Sequence, residues 1–194
     1  MIIAAFDVAT VTGCCDGAPG AKTPRVWSWY LRDGGPSRPD RLFHFAKFLR
    51  RYFQTEPCDA VVYEEPIPIG FLARGGKKTD DKGAKGFMMS EQNVAFARGA
   101  IGVLEMTARE YGKPIEGLAV QDARQAVLGW RTNFKKKSGE DTKHRVFREV
   151  TTLYKIHCDN DNESDAWVLW AYAAARTNPA VAMQLDPLFG GPMR

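Results

Sequence analysis

Three carboxylates occupy similar places in three separate segments of the sequence. Asp7 interrupts the apolar run IIAAFDVA, Glu64 ends the short apolar run DAVVYEEP, and Asp165 stands where an apolar, Trp-containing helix begins. An isolated buried carboxylate is unfavourable by several kcal/mol, so each acid needs a basic partner or a bound cation. Convergent carboxylates without a His/Cys cluster are the ligands of hard cations such as Mg²⁺ or Mn²⁺.

Two of these acids differ in how readily a purely structural role explains them. Asp165 taken alone also suits a helix N-terminus, where a negative charge complements the helix dipole. Asp7 has no capping role inside a central strand, so its expected compensation is a metal ion or a basic side chain. Asp165 shares a helix face with Val168 and Leu169, which predicts that its side chain points toward the sheet.

Carboxylate-bound metal ions suit phosphoryl chemistry, because two ions about 4 Å apart activate a water and stabilise the leaving oxygen of a phosphodiester. Paired carboxylates also hydrolyse glycosides. The basic segments of the chain distinguish phosphodiester cleavage from glycoside hydrolysis. Residues 70–90 carry five basic side chains and two acidic ones, and residues 130–148 carry seven basic and two acidic ones, in a chain of net charge +4. A solvated charged face explains either segment alone, but acids combined with basic segments favour a nuclease.

The basic segments also supply candidates for nucleic-acid contact. We expect phosphate contacts from Arg74, Lys77, Lys78, Lys82, Lys85, Lys135, Lys136 and Lys137. Two aromatic residues at the edges of the first segment could insert at an unstacked branch point, Phe71 or Phe87.

The elements that must position the acids follow from apolar periodicity. Short apolar runs predict five strands, and i, i+3, i+4, i+7 patterns predict helices near 39–53, 90–111 and 163–176, with shorter ones in QDARQAVLG and TKHRVFREVTTLY. The order βββαβαβααα indicates an α/β fold, a five-stranded mixed sheet with three antiparallel strands and then two parallel ones, flanked by helices. We expect one domain over 1–177 and an irregular tail over 178–194.

Chain length, composition and the lack of a membrane or export segment indicate the kind of protein to expect. A chain of 194 residues, 44% hydrophobic, can form one sizeable core. It contains no apolar stretch long enough to span a membrane and no export signal at the start, so we expect a cytoplasmic protein without a membrane partner. The cysteines have no zinc-ligand spacing, which predicts reduced and mostly buried thiols at Cys14, Cys15, Cys58 and Cys158.

Four segments, in order, resemble the motifs of RuvC-type Holliday junction resolvases. FDVATVTG is similar to the first-strand motif, VVYEEP to the second acidic motif, FARGAIGVLEMTAREYGKPI to the Ala-Arg-Gly helix leading into the next strand, and NESDAWVLWAYA to the closing Asp-Ala helix. The YEEP form and the long basic loop look more like phage or prophage members. The resemblance covers about residues 2–176.

This resemblance implies an RNase H-like fold and a homodimer that introduces paired nicks into four-way DNA junctions. It implies a crossover junction endodeoxyribonuclease, with two Mg²⁺ or Mn²⁺ ions per active site and 5′-phosphate products. Asp7, Glu64 and Asp165 match the first three of the family's four metal-site acids. The fourth position is Asn162, which departs from the pattern.

The departure leaves several ligand sets open. Asn162 could coordinate through its amide, Asp161 or Glu163 could reach the metal, or the second metal could be held weakly. Glu65 competes with Glu64, although the match and the following proline favour Glu64. Lys143 matches a family lysine in the helix before the last acid, where a cation could contact the scissile phosphate. An exposed helical lysine is the alternative.

Other functions are open as well. The protein could cut flaps and other branches, or bind junctions with a weakened active site, which Asn162 would explain. An actin-like ATPase or sugar kinase also begins with an acidic strand and turn, but DVATVTG has Ala9 where that motif requires glycine, and 194 residues are too few for its two domains. Small residues along the 90–111 helix agree with the expected homodimer.

Overall fold

A single mixed sheet organises the part of the chain that the computed structural model describes, residues 1–66, 91–130 and 141–185. Its strands are β1 (Ile3–Asp7), β2 (Val11–Gly17), β3 (Arg25–Tyr30), β4 (Ala60–Glu64) and β5 (Ile115–Leu118). The spatial order is β3-β2-β1-β4-β5. β1, β2 and β3 pair antiparallel, whereas β4 pairs parallel with β1 and with β5. The predicted five-stranded arrangement is confirmed.

Helices cover both faces of this sheet. They are α1 (Arg38–Thr55), α2 (Glu91–Glu110), α3 (Val120–Leu128), α4 (Thr142–Thr152), α5 (Asp161–Thr177) and α6 (Pro179–Leu185), with a 3₁₀ turn over Leu31–Gly34. None of the helices in the described residues is long and apolar enough to cross a membrane.

The short helix α6 corrects the expectation of an irregular tail over its residues. Asn178 Oδ1 accepts a hydrogen bond from the Ala180 N–H at 3.1 Å, and Pro179 supplies a backbone angle suited to the first helical position. Val181 is buried against the core beneath α5. The Asn-Pro pair and the buried Val181 thus mark the start of this helix.

Two hydrophobic cores lie on opposite faces of the sheet, and β1 contributes to both. Ile3 and Ala5 face the core formed with α5, while Ala4 and Phe6 face the core formed with α1 and α2. Side chains alternate along a strand, so Asp7 has the parity of Ile3 and Ala5 and points to the α5 side. This alternation brings the first acid to the helix that carries Asp165.

Gly13 on β2 permits the close approach of α5. A Cβ built at Gly13 would lie 1.9 Å from the backbone carbonyl oxygen of Asn162 and 2.8 Å from the amide nitrogen of Glu163. No side chain fits at that separation, so glycine is required where the start of α5 crosses the sheet. The preceding Thr12 is fully buried, and its hydroxyl donates to the Ala9 carbonyl at 3.0 Å, which holds the turn between β1 and β2.

The cysteines agree with the sequence expectation. Cys14, Cys15, Cys58 and Cys158 are all free and buried.

Candidate active site

A cleft of about 540 Å³ opens at the carboxyl ends of β1 and β4. Its lining includes Asp7 and Glu64 from these strands, Asp165 and Asn162 from α5, and Lys143 from α4. The five residues lie in four elements that are far apart in the sequence, and the fold brings them to one place.

Asp7 and Glu64 form the floor of the cleft and share a side-chain hydrogen bond. Burial raises the pKa of Asp7 well above its usual range, and the negative charges of Glu64 and Asp165 raise it further. Burial followed by the charge of Asp165 also raises the pKa of Glu64. The two raised pKa values share a cause, because burial and neighbouring negative charge both disfavour an ionised carboxylate.

Asp165 is compensated differently, by a buried ion pair that the sequence analysis missed. Arg124 on α3 donates from Nη2 to Asp165 Oδ1 at 2.8 Å, and the two side chains are 8% and 2% exposed. The available signal was a basic residue on the apolar side of QDARQAVLG, beside the buried Ala123 and near Val127. A periodicity argument marks such a residue as buried but does not identify its partner.

Lys143 stands at the rim, where half of its side chain is exposed. Its Nζ lies 2.9 Å from Asp161 Oδ2 and donates to Asn162 Oδ1 at 3.3 Å. Partial burial opposes its charge, but the Asp161 contact and the acids of the cleft raise the pKa of Lys143 overall. The raised pKa keeps the ammonium charged, and Lys143 lines the cleft from α4.

The alternative acids lie in three different places. Glu65 borders the cleft with an exposed side chain, and Asp161 is engaged with Lys143 at the rim. Glu163 is buried on the far side of α5, where its carboxylate accepts from the Ser28 hydroxyl and, at 2.7 Å, from the Asp159 N–H. Glu163 is therefore not among the residues that line the cleft, and its carboxylate closes the cap of α5.

The predicted DNA contacts and wedge residues lie outside the described residues. They are Arg74, Lys77, Lys78, Lys82, Lys85, Lys135, Lys136, Lys137, Phe71 and Phe87.

The chemistry of the donors fits a hard divalent cation. Carboxylate oxygens of Asp7, Glu64 and Asp165, with the amide oxygen of Asn162, are the ligand types that Mg²⁺ and Mn²⁺ prefer. Within residues 1–66, 91–130 and 141–185, however, no three His, Cys, Asp or Glu side chains stand in a ready coordination geometry.

Two further polar side chains border the cleft without having been singled out from the sequence. Arg98 projects from α2, within the Ala-Arg-Gly segment, and Gln121 projects from the first turn of α3. The segment FARGAIG did carry a signal for Arg98, because an arginine between small residues on an otherwise apolar helix requires a polar environment.

A five-stranded mixed sheet with this strand order, helices on both faces and acids at the ends of β1 and β4 defines an α/β protein of the RNase H-like fold. Solved structures that share it include two of RuvC from Thermus thermophilus. Thermus thermophilus RuvC in complex with a Holliday junction substrate superposes with a TM-score of 0.61 at 15% identity, over 91% of this chain and 96% of that one. A second Thermus thermophilus RuvC structure gives a TM-score of 0.56 at 16% identity, over 91% and 97%. No protein-family model and no curated protein matches the sequence.

Proposed function

We propose that this protein is a metal-dependent endonuclease that cleaves phosphodiester bonds in branched DNA and resolves four-way junctions by paired nicks. One observation carries the proposal: Asp7, Glu64 and Asp165 meet in a single cleft beside the ammonium of Lys143. The cleft belongs to a fold shared with a RuvC that is bound to a Holliday junction substrate.

The distribution of charge within the cleft supports phosphodiester cleavage. Asp7 is 7% exposed at the floor, whereas the Lys143 side chain is 51% exposed at the rim. Divalent ions held by Asp7, Glu64, Asp165 and the Asn162 amide would supply an activated water and stabilise the leaving oxygen. Lys143 donates to a non-bridging phosphate oxygen from the rim, and Asp161 orients it for that contact. Cleavage in this manner leaves a 5′-phosphate.

Paired nicks need two active sites, so the proposal includes a homodimer. Met106 on α2 is 55% exposed and Phe43 on α1 is 64% exposed. The two helices pack side by side, with Arg50 Nε 3.3 Å from Glu110 Oε2. If the dimer forms through this helical layer, its interface should bury more than about 1,000 Å² in total.

A junction-binding protein with a weakened site is the second candidate, and Asn162 is the observation that favours it. An amide at the fourth position contributes no negative charge, and here its oxygen is hydrogen-bonded to Lys143. Metal-dependent cleavage separates the two candidates. Cleavage of flaps as well as four-way junctions would distinguish a wider branch specificity from junction resolution.

The deciding experiment is a cleavage assay on a mobile four-way junction, a flap and a linear duplex, with Mg²⁺ or Mn²⁺. We expect symmetric nicks in the four-way junction. Asp7→Asn should abolish them while junction binding persists, since the amide keeps the volume but loses the charge. The exposed Asp33→Asn is the matched control and should cleave normally. Near-normal cleavage by a folded Asp7→Asn protein would show that the cleft is not the active site.

A further inference from the structure

Arg124 and Asp165 form a buried ion pair at the edge of the candidate metal site. The guanidinium Nη2 lies 2.8 Å from Asp165 Oδ1, and both residues border the cleft. A buried carboxylate beside two other acids requires positive charge. Lys143 makes its shortest ionic contact with Asp161, which leaves the guanidinium as the cation in direct contact with Asp165 among the described residues.

The ion pair does not satisfy all of the guanidinium. Arg124 is 7% exposed, and its Nε is buried without a hydrogen-bond partner in the part of the chain that the structure describes. A buried N–H without an acceptor is unfavourable, so this position of Arg124 is less stable than a fully bonded one would be. Because the side chain lines an open cleft, it has space to leave Asp165.

We propose that Arg124 is a positioning residue that competes with the divalent cation for Asp165. This inference rests on the proposed function, since it concerns the same cation. Arg124 neutralises Asp165 in the absence of the ion, and the ion binds when the guanidinium gives up Oδ1 and turns into the cleft. The competition follows from charge and space: two cations in contact with one carboxylate oxygen repel each other strongly in a poorly solvated site.

Mn²⁺ binding measured by calorimetry tests the competition without relying on catalysis. Arg124→Gln removes the competing charge, so the protein should bind Mn²⁺ at least about tenfold more tightly than wild type. Arg124→Lys keeps a cation at this position and should stay within about threefold of wild type. Arg176→Gln is the matched control, because Arg176 pairs with Glu116 at 2.8 Å beside the opposite ends of the strands. Its Mn²⁺ affinity should equal that of wild type.

The outcomes separate this inference from the proposed function. Mn²⁺ binding by wild type with no gain, or a loss, in Arg124→Gln overturns the competition alone. Absence of Mn²⁺ binding in both proteins overturns the competition and the metal-dependent nuclease together.

Wild-type protein provides a second measurement, in which a variant serves only to assign the signals. The guanidinium of Arg124, held by Asp165, should rotate slowly about its Nε–Cζ bond and give separate Nη signals by NMR, assigned by their loss in Arg124→Lys. Saturating Mg²⁺ should speed the rotation and merge these signals. Separate signals that persist unchanged at saturating Mg²⁺ would overturn the proposal.

Discussion

Gly13→Ala tests how closely the fold must hold α5 against the sheet for the site to exist. The new Cβ would lie 1.9 Å from the Asn162 carbonyl oxygen, whereas Cβ atoms keep at least 3.0 Å from such neighbours. The start of α5 must therefore withdraw by at least 1.1 Å, the difference between those distances. Both sides of the contact are backbone, so no side-chain rotation relieves it.

The expected consequences are separate for stability and activity. Overpacking of this kind costs about 3 kcal/mol of unfolding free energy, which urea denaturation followed by circular dichroism would measure. Asn162 and Asp165 move with the start of α5, away from Asp7. A displacement of about 1 Å at reacting groups lowers the rate about 100-fold, so junction cleavage should fall by that factor even where the variant is fully folded.

Gly102→Ala is the matched control for this substitution. Gly102 lies inside α2, and a Cβ built there meets no atom of the chain within 4 Å. Alanine has the higher helix propensity, so the control should be more stable by up to about 1 kcal/mol. If Gly13→Ala unfolds within about 0.5 kcal/mol of wild type and cleaves normally, the close approach of α5 to β2 is not what builds the site.

Four further outcomes are expected. Glu163→Ala should lower stability by about 1 kcal/mol through loss of the α5 cap, and the variant should bind Mn²⁺ as tightly as wild type. Weaker Mn²⁺ binding by the folded variant would indicate that Glu163 is a metal ligand. Burial raises the pKa of Cys58 to about 11. Because only the thiolate reacts, alkylation of Cys58 at pH 8 should be about 100-fold slower than in the unfolded chain and should accelerate as pH rises. Equal alkylation rates for the folded and unfolded chains, measured by mass spectrometry, would contradict this. Met106→Glu should convert a dimer into a monomer by light scattering, whereas a wild-type monomer at micromolar concentration, with and without junction DNA, counts against the homodimer. Replacing Lys77, Lys78, Lys82 and Lys85 by alanine should lower junction affinity and flatten the slope of log K against log salt by up to about four units. An unchanged slope would indicate that DNA contacts residues 130–148 instead.

Several features of this fold could be derived from the sequence because they depend on local periodicity. Alternation along IIAAFD places Asp7 on one face of β1, and the apolar stripe of α5 places Asp165 on the side of that helix that faces the sheet. The reason for the glycine at position 13, in contrast, could not be derived from the sequence. That reason, contact between Gly13 and the Asn162 backbone, joins residues about 150 positions apart and leaves no local pattern.

What only the tertiary structure decided is which charges meet. The sequence shows that Asp7, Glu64 and Asp165 each require compensation, since acids in apolar segments are costly wherever they lie. Arg124 compensates the charge of Asp165 through a 2.8 Å contact between α3 and α5. Glu163, two residues before Asp165, instead caps its own helix. Adjacent positions on a helix point in different directions, and their partners come from whichever elements pack there. Sequence therefore determines that a side chain must be paired, and packing determines the partner.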